Sequence, residues 1–360
     1  MALEYHTGFD MIAAGTPYTQ LKQMGWTHSS ADTGTVSTTL ARNGTRSLQL
    51  SVAAGFLCMA NLSPAVTRIV GFGCQVQTLA GTQRPIVAVG DGGALDVAAN
   101  VHVAVSMDPT GHLELRRGAN LGAAAAGTLL ATSTNALTAA TWHFIELVAT
   151  IDNTVGTAEV YVNGSKTGWI DFTGDTQNSA AAFSTVIGFG CGNIQVNVDD
   201  VYTLTTTGAV PTTRLGDCKS VVKFPGTDAA LGAGVYGDST PLTASDRGAM
   251  VDDNPVPDDD TTYTALTAPL QKDAYKTAAL GLTGTILGVT VRARLRKTDA
   301  GDGSAQIGLR SGTTDDVSPD VLPTTAYQWF SRSYVANPAT STLWTMPALD
   351  AAQILVKRTT

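Results

Sequence analysis

Glutamate is nearly absent from this chain: Glu4, Glu114, Glu146 and Glu159 are the only four in 360 residues, and charged residues of every kind reach just 14%. Helix-rich proteins lean on Glu, Lys, Leu and Arg, so this scarcity excludes a helical architecture. Cysteine is also sparse. Cys58, Cys74, Cys191 and Cys218 lie far apart, with no C-x-x-C and no histidine pair beside them. That excludes a zinc site, and four cysteines are too few for a disulfide scaffold, so they are read as reduced core or strand residues. The five histidines, His6, His28, His102, His112 and His143, show no i, i+2 or i, i+4 ligand spacing. No Ser or Cys stands in a nucleophile-elbow context, which leaves nucleophilic catalysis unsupported. Nowhere do 18 apolar residues run together, and the opening MALEYHTGFDMIAAG has neither a basic leader nor a continuous apolar stretch. A membrane span and a secretory signal are therefore not expected, and the protein is expected to be soluble. A net charge of -8 and a pI near 5.0 repel phosphate backbones, which argues against nucleic acid as a partner.

What the chain does have is a 43% hydrophobic fraction, 37 glycines, and threonine and valine in nearly every segment. This is the vocabulary of strands joined by glycine turns, and the length favours two domains over one. Short apolar or alternating runs at 46–52, 67–79, 85–89, 101–107, 112–117, 142–151, 157–162, 184–189 and 194–204 predict strands. Asp108-Pro-Thr-Gly111, Asp152 to Gly156 and Asn163-Gly164 lie between them as turns. After Leu204 the text becomes polar and turn-prone. A linker is expected at 206–217, separating a first domain at 1–205 from a second at 218–360. The second opens with an apolar run at 220–224 and an acidic loop, 226–260, that contains Asp252, Asp253, Asp258, Asp259 and Asp260. Strands are expected to resume at 262–266, 274–278, 285–297, 304–310, 327–334 and 353–358, with one or two helical turns at 346–353. The tetrapeptide Gly-Phe-Gly-Cys occurs at Gly71 and again at Gly188 without a third copy, and is read as two strand edges of one sandwich.

Trp142-His-Phe-Ile-Glu-Leu-Val-Ala-Thr-Ile-Asp152, followed by Gly156-Thr-Ala-Glu-Val-Tyr-Val-Asn-Gly164 and later by Asp199-Asp200-Val201-Tyr202, resembles laminin-G and concanavalin-like domains. In that family a tryptophan-led strand pairs with one ending in Val-Asn-Gly, and a later strand ends in Asp-Asp-hydrophobic-Tyr. The resemblance covers about 1–205 and implies a jelly roll. Over about 215–360 the Asp-Asp-Asp-Thr-Thr-Tyr263 entry, the Val-Arg-Ala-Arg-Leu-Arg296 strand and Pro338-Ala-Thr-Ser-Thr-Leu-Trp344-Thr are similar to virion and tail proteins of double-stranded DNA phages. The fold expected is all-β: two β-sandwich domains, a concanavalin-like jelly roll and a smaller C-terminal sandwich.

Glycosidases on a concanavalin-like fold need acidic residues that share one face. Asp199 and Asp200, as neighbours on a regular strand, would point to opposite faces, so no acid pair and no catalytic residue is expected. Calcium is the family's other option, but the acidic run lacks an Asp-x-Asp-x-Asp-Gly order and is held extended by Pro255 and Pro257; no cofactor is expected. Arg292, Arg294 and Arg296 alternate with Val291, Ala293 and Leu295, which puts three guanidiniums on one strand face. With Asp258, Asp259 and Asp260 they are the candidate subunit-contact residues, pairing within or between subunits.

These readings converge on a non-enzymatic structural component of a bacteriophage particle, tail-associated and mediating assembly or surface attachment. It is expected to be a homo-oligomer, to contact other virion proteins, and to be located in the virion after synthesis in the host cytoplasm. Two alternatives stand beside it: a lectin at the tail tip that recognises a host-surface glycan, and a capsid-decorating protein. Exposed Trp26, Trp169, Trp329 or Trp344 on a concave face would favour sugar stacking, and the same residues buried would favour a scaffold.

Overall fold

The computed structural model describes residues 3–15, 18–29, 34–50, 55–79, 84–122, 127–192, 194–208, 210–226, 247–253, 257–279 and 281–360. Most of the loop 226–260, including Gly232, Gly234 and Pro255, lies outside the described residues. The chain divides into two compact units, Met1–Val221 and Val222–Thr360. The segment expected as a linker, 206–217, thus belongs to the first unit.

In chain order the first unit runs β1 (Leu3–Thr7), α1 (Tyr18–Gln23), β2 (Trp26–Ser29), β3 (Gly34–Ser37), β4 (Ser47–Leu50), β5 (Gly55–Met59), β6 (Thr67–Val76), β7 (Arg84–Gly90) and β8 (Val101–Met107). It continues through β9 (His112–Arg117), β10 (Thr128–Ala136), β11 (Trp142–Thr150), β12 (Gly156–Val162), β13 (Asp171–Gly174), β14 (Val186–Gly192) and β15 (Val196–Thr205). One antiparallel sheet has the order β13-β12-β11-β6-β15-β4-β3, with β1 also on β15; the other has β10-β9-β8-β7-β14-β5-β2. The two faces make a sandwich of jelly-roll character.

Alternation explains what each sheet buries. Along β6, Val70, Phe72, Cys74 and Val76 enter the space between the sheets, whereas Ile69, Gly71, Gly73 and Gln75 take the outer face. Facing it in β14, Ile187, Phe189 and Cys191 point inward and Gly188 and Gly190 outward. The repeated tetrapeptide therefore lies at the centre of both sheets and not at strand edges, because each pair of glycines makes room for a covering element. A Cβ on Gly71 would lie 2.0 Å from the Tyr202 ring, and one on Gly188 would lie 2.6 Å from Leu121 Cδ1. The outer face of the second sheet is a second apolar layer, in which Phe56, Cys58, Ala88 and Ala104 lie under Leu95 and Leu121. That is why β5 and β8 are buried along their whole length.

The β11–β12 hairpin has the register Ile145↔Val162, Leu147↔Val160 and Ala149↔Ala158. Asn163 and Gly164 take positive φ (50° and 80°), and Asn163 Oδ1 accepts the Phe144 N–H, so the turn also holds the start of β11. Edge strands β1, β2, β3, β10 and β13 were not expected from sequence. β10 shows why: eight of its nine residues are exposed or half-buried, so no buried face imposes an apolar period on Thr-Leu-Leu-Ala-Thr-Ser-Thr-Asn-Ala.

The second unit contains β16 (Lys272–Lys276), β17 (Val289–Leu295), β18 (Ala305–Ser311), β19 (Thr314–Val317), β20 (Gln328–Tyr334), α2 (Met346–Ala351) and β21 (Gln353–Arg358). A four-stranded sheet, β16-β21-β18-β19, shares a core with the β17–β20 ribbon: Ile286, Val291, Leu309, Tyr334, Trp344 and Ala352. Thr345 caps α2 by accepting the Ala348 N–H, with Pro347 in the first turn. The runs at 220–224 and 262–266 are not strands.

Candidate functional site: a closed polar sheet face

On the outer face of the first sheet, polar side chains from three adjacent strands converge. Glu146 comes from β11, beside the apolar ring of Phe144, Gln75 from β6, and Asn197, Asp199, Asp200 and Tyr202 from β15. Glu146 and Asp199 are fully buried, and Asp200 and Tyr202 nearly so.

Asp199 and Asp200 do not point to opposite faces. Asp199 pairs with Gly73 while Tyr202 pairs with Gly71, so β15 carries one residue more than β6 between them. Asp200 absorbs it with φ of 49°. Both carboxylates then reach the same loop: Asp199 Oδ2 accepts the Arg42 and Asn43 N–H groups (2.9 and 3.2 Å), and Asp200 Oδ2 meets Arg42 Nη1 at 2.6 Å. Arg42 threads over Gly73, with its guanidinium 4.8 Å from the Phe144 ring.

The chain itself closes this face. Residues 214–220, continuing from β15, lay backbone donors onto it. Gly216 N–H donates to Glu146 Oε1 (2.9 Å), Leu215 N–H to Tyr202 Oη (3.1 Å) and Ser220 N–H to Asp200 Oδ1 (2.7 Å). Tyr202 Oη in turn donates to Glu146 Oε1 at 2.5 Å. Arg214 pairs with Glu146 and stacks 3.5 Å over the Tyr161 ring. From the sheet side, Arg42 reaches the Asp217 carboxylate and the Cys218 carbonyl, the latter at 2.9 Å.

The electrostatics follow from burial. Burial, with the charge of Asp200 beside it, pushes the Asp199 carboxyl up to about 8, against three backbone donors that favour the ionised form. Asp200 is raised by burial, less so because Ser220 N–H and Arg42 oppose it. Burial works against the Arg42 charge, but Asp200 and Asp217 more than reverse it and hold the guanidinium protonated. Burial beside Glu146 drives the Tyr202 phenol far above its ordinary range, so it is a hydrogen-bond donor and not a base. The Cys218 thiol is pushed up to about 12 by burial.

Two acids do share a face: Glu146 and Asp199 both look out from one side of the sheet, on the strands flanking β6. In this closed state each is already engaged. Among the described residues, no group of three or more His, Cys, Asp or Glu side chains is arranged to hold a metal ion.

In the second unit, the basic strand and the acidic run meet within the chain. Arg294 makes a two-pronged bond to Asp259 (2.6 and 2.8 Å), and Arg296 Nη2 meets Asp260 Oδ1 at 2.5 Å. Both guanidiniums lie over Tyr327, at 5.3 and 5.0 Å, and Tyr327 Oη donates to the Asp259 carbonyl. Asp258 instead caps a turn, accepting the Thr262 N–H and hydroxyl. Arg292 stands opposite Ser331 in the ladder. No tryptophan is exposed: Trp26 and Trp344 are buried, and Trp142, Trp169 and Trp329 are half-buried.

No protein-family model and no curated protein matches the sequence. Among solved structures, an endo-β-1,4-glucuronan lyase from Trichoderma reesei aligns over 50% of this chain and 91% of its own, at 15% identity and TM-score 0.39. A marine PL-14 alginate lyase from Aplysia kurodai aligns over 57% and 100%, at 11% identity and TM-score 0.43. A Trypanosoma rangeli sialidase aligns over 48% of this chain and 27% of its own, at 15% identity and TM-score 0.30. The expectation of a non-enzymatic protein is corrected, because its physical premise, that no two acids share a face, is removed by the bulge that sets Asp200 beside Asp199.

Proposed function

We propose that this chain is a structural component of a bacteriophage particle, tail-associated, and that it mediates assembly or attachment to a surface. The observation that carries the reading is the closure of the first sandwich on both outer faces by its own chain, apolar over one sheet and polar over the other, with no tryptophan exposed for sugar stacking. Such a self-covered sandwich suits a building element, and the virion-like phrasing of the second unit supports the same placement. The partners are other virion proteins and further copies of the chain. The Arg294–Asp259 and Arg296–Asp260 pairs are closed within the chain and stiffen the surface offered to those contacts, while apolar area supplies most of their free energy. Labelled antibody on purified particles, read by electron microscopy, tests this: decoration of the tail is expected, and absence of the protein from purified particles refutes the reading.

A further inference from the structure

The two covers of the first sandwich differ in kind. Leu95 and Leu121 seal the second sheet by apolar burial, which water cannot replace. Residues 214–220 are neither helix nor strand, and their side chains are half-buried or exposed, with the Cys218 thiol turned toward the sheet far enough for burial to raise its pKa. Their fastenings are hydrogen bonds and ion pairs: Leu215, Gly216 and Ser220 N–H on one side, and Arg214, Asp217 and the Cys218 and Ser220 carbonyls on the other. Contacts of that sort exchange for water, so each contributes far less net than its strength in isolation. The groups they would uncover, Glu146, Asp200, Tyr202 and Arg42, regain hydration on exposure. Opening of such a segment leaves the sheet ladders beneath it paired, so it is a local event and not global unfolding.

We propose that residues 214–220 are a releasable strap, which leaves the outer face of β11, β6 and β15 as one unit while the sandwich beneath stays folded. Release uncovers Glu146, Asp200, Tyr202 and Arg42 together. It also turns 206–221 into an extended tether, which at about 3.3–3.6 Å per residue reaches roughly 50 Å.

The full-length protein carries its own reporter. Cys218 is in the strap and half-buried, whereas Cys58, Cys74 and Cys191 are core residues that report global unfolding. Native protein is treated with an aromatic disulfide reagent while thiol release is followed, and hydrogen exchange of the peptide spanning 214–220 is read by mass spectrometry. One thiol is expected to react about a hundredfold faster than the other three. Asp217→Asn, which removes an ion pair on the exposed side of the strap, is expected to speed it a further three- to tenfold or so without moving the thermal midpoint by more than about 3 °C, and Arg214→Gln, which takes the cation from buried Glu146, to speed it at least as much. The strap peptide is expected to exchange well before the peptides of β6 and β15. Reaction of Cys218 only alongside the other three overturns the proposal. So does a rate that neither variant changes, or a strap that exchanges in step with β15.

Discussion

The rings of Phe72 and Phe189 meet across the first sandwich with centroids 4.9 Å apart and planes at 62°. They are the phenylalanines of the two Gly-Phe-Gly-Cys copies, one from each sheet, and Trp26 joins them 5.9 Å from Phe189. Truncating either should cost about 3–5 kcal/mol, because neither residue has an exposed side to collapse toward. A double-mutant cycle with Phe72→Leu and Phe189→Leu, read by urea midpoints, should return a coupling of about 0.5–1.5 kcal/mol.

Gly71→Ala and Gly188→Ala should destabilise through collision and not through backbone strain. At Gly71 the new methyl meets the Tyr202 ring, itself pinned by Glu146 and the Leu215 N–H. The expected loss is about 1–3 kcal/mol at each site. Gly71→Ala combined with Tyr202→Ala should lose less than the sum of the two single changes.

Tyr202→Phe removes the hydroxyl that serves both Glu146 and Leu215, while leaving Glu146 buried with Arg214 and the Gly216 N–H. A loss of about 1–3 kcal/mol is expected in denaturant unfolding. Exchange of the 214–220 peptide should quicken alongside it.

Asp199 makes the first unit's stability depend on pH in a defined direction. Its folded pKa, about 8, lies above its ordinary carboxylate value, so the folded state holds the proton where the unfolded state has lost it. Its contribution is full below about pH 4, declines as pH rises, and is gone above about pH 8. Asp199→Asn should cost stability at every pH, since three backbone donors face that carboxyl, yet it should flatten the decline between these limits. Thermal midpoints of both proteins from pH 4 to 9 check this, and parallel curves would contradict it.

In the second unit, Asp259→Asn should weaken the two-pronged bond to Arg294 by about 1 kcal/mol or less, because Asp259 is more than one third exposed. Thermal unfolding in low and high salt should show the difference shrinking as salt rises.

Strand content, the Trp142 to Gly164 hairpin and the positive-φ turn at Asn163 were legible because alternation and turn chemistry act over a few residues. The face at Glu146 was not. Its signal was present, a lone acid set between Ile145 and Leu147 in an apolar strand, which demands a buried partner. The partners, however, are Tyr202 and Arg214, some 56 and 68 positions away. The bulge that turns Asp200 beside Asp199 depends on what β15 pairs with, and adjacency in sequence gave the opposite inference. Arg42 carried no local mark at all.

The order of fastenings along 214–220 has a mechanical meaning. A pull applied at Val222 loads Ser220 first, then Cys218 and Asp217, and only afterwards Gly216, Leu215 and Arg214. Bonds broken in sequence yield at far lower force than the strands of a sheet sheared all at once. The segment would thus act as a fuse that lengthens under load and re-forms when slack returns, so that tension reaching the second unit is spent on solvent-exchangeable contacts before it reaches β15.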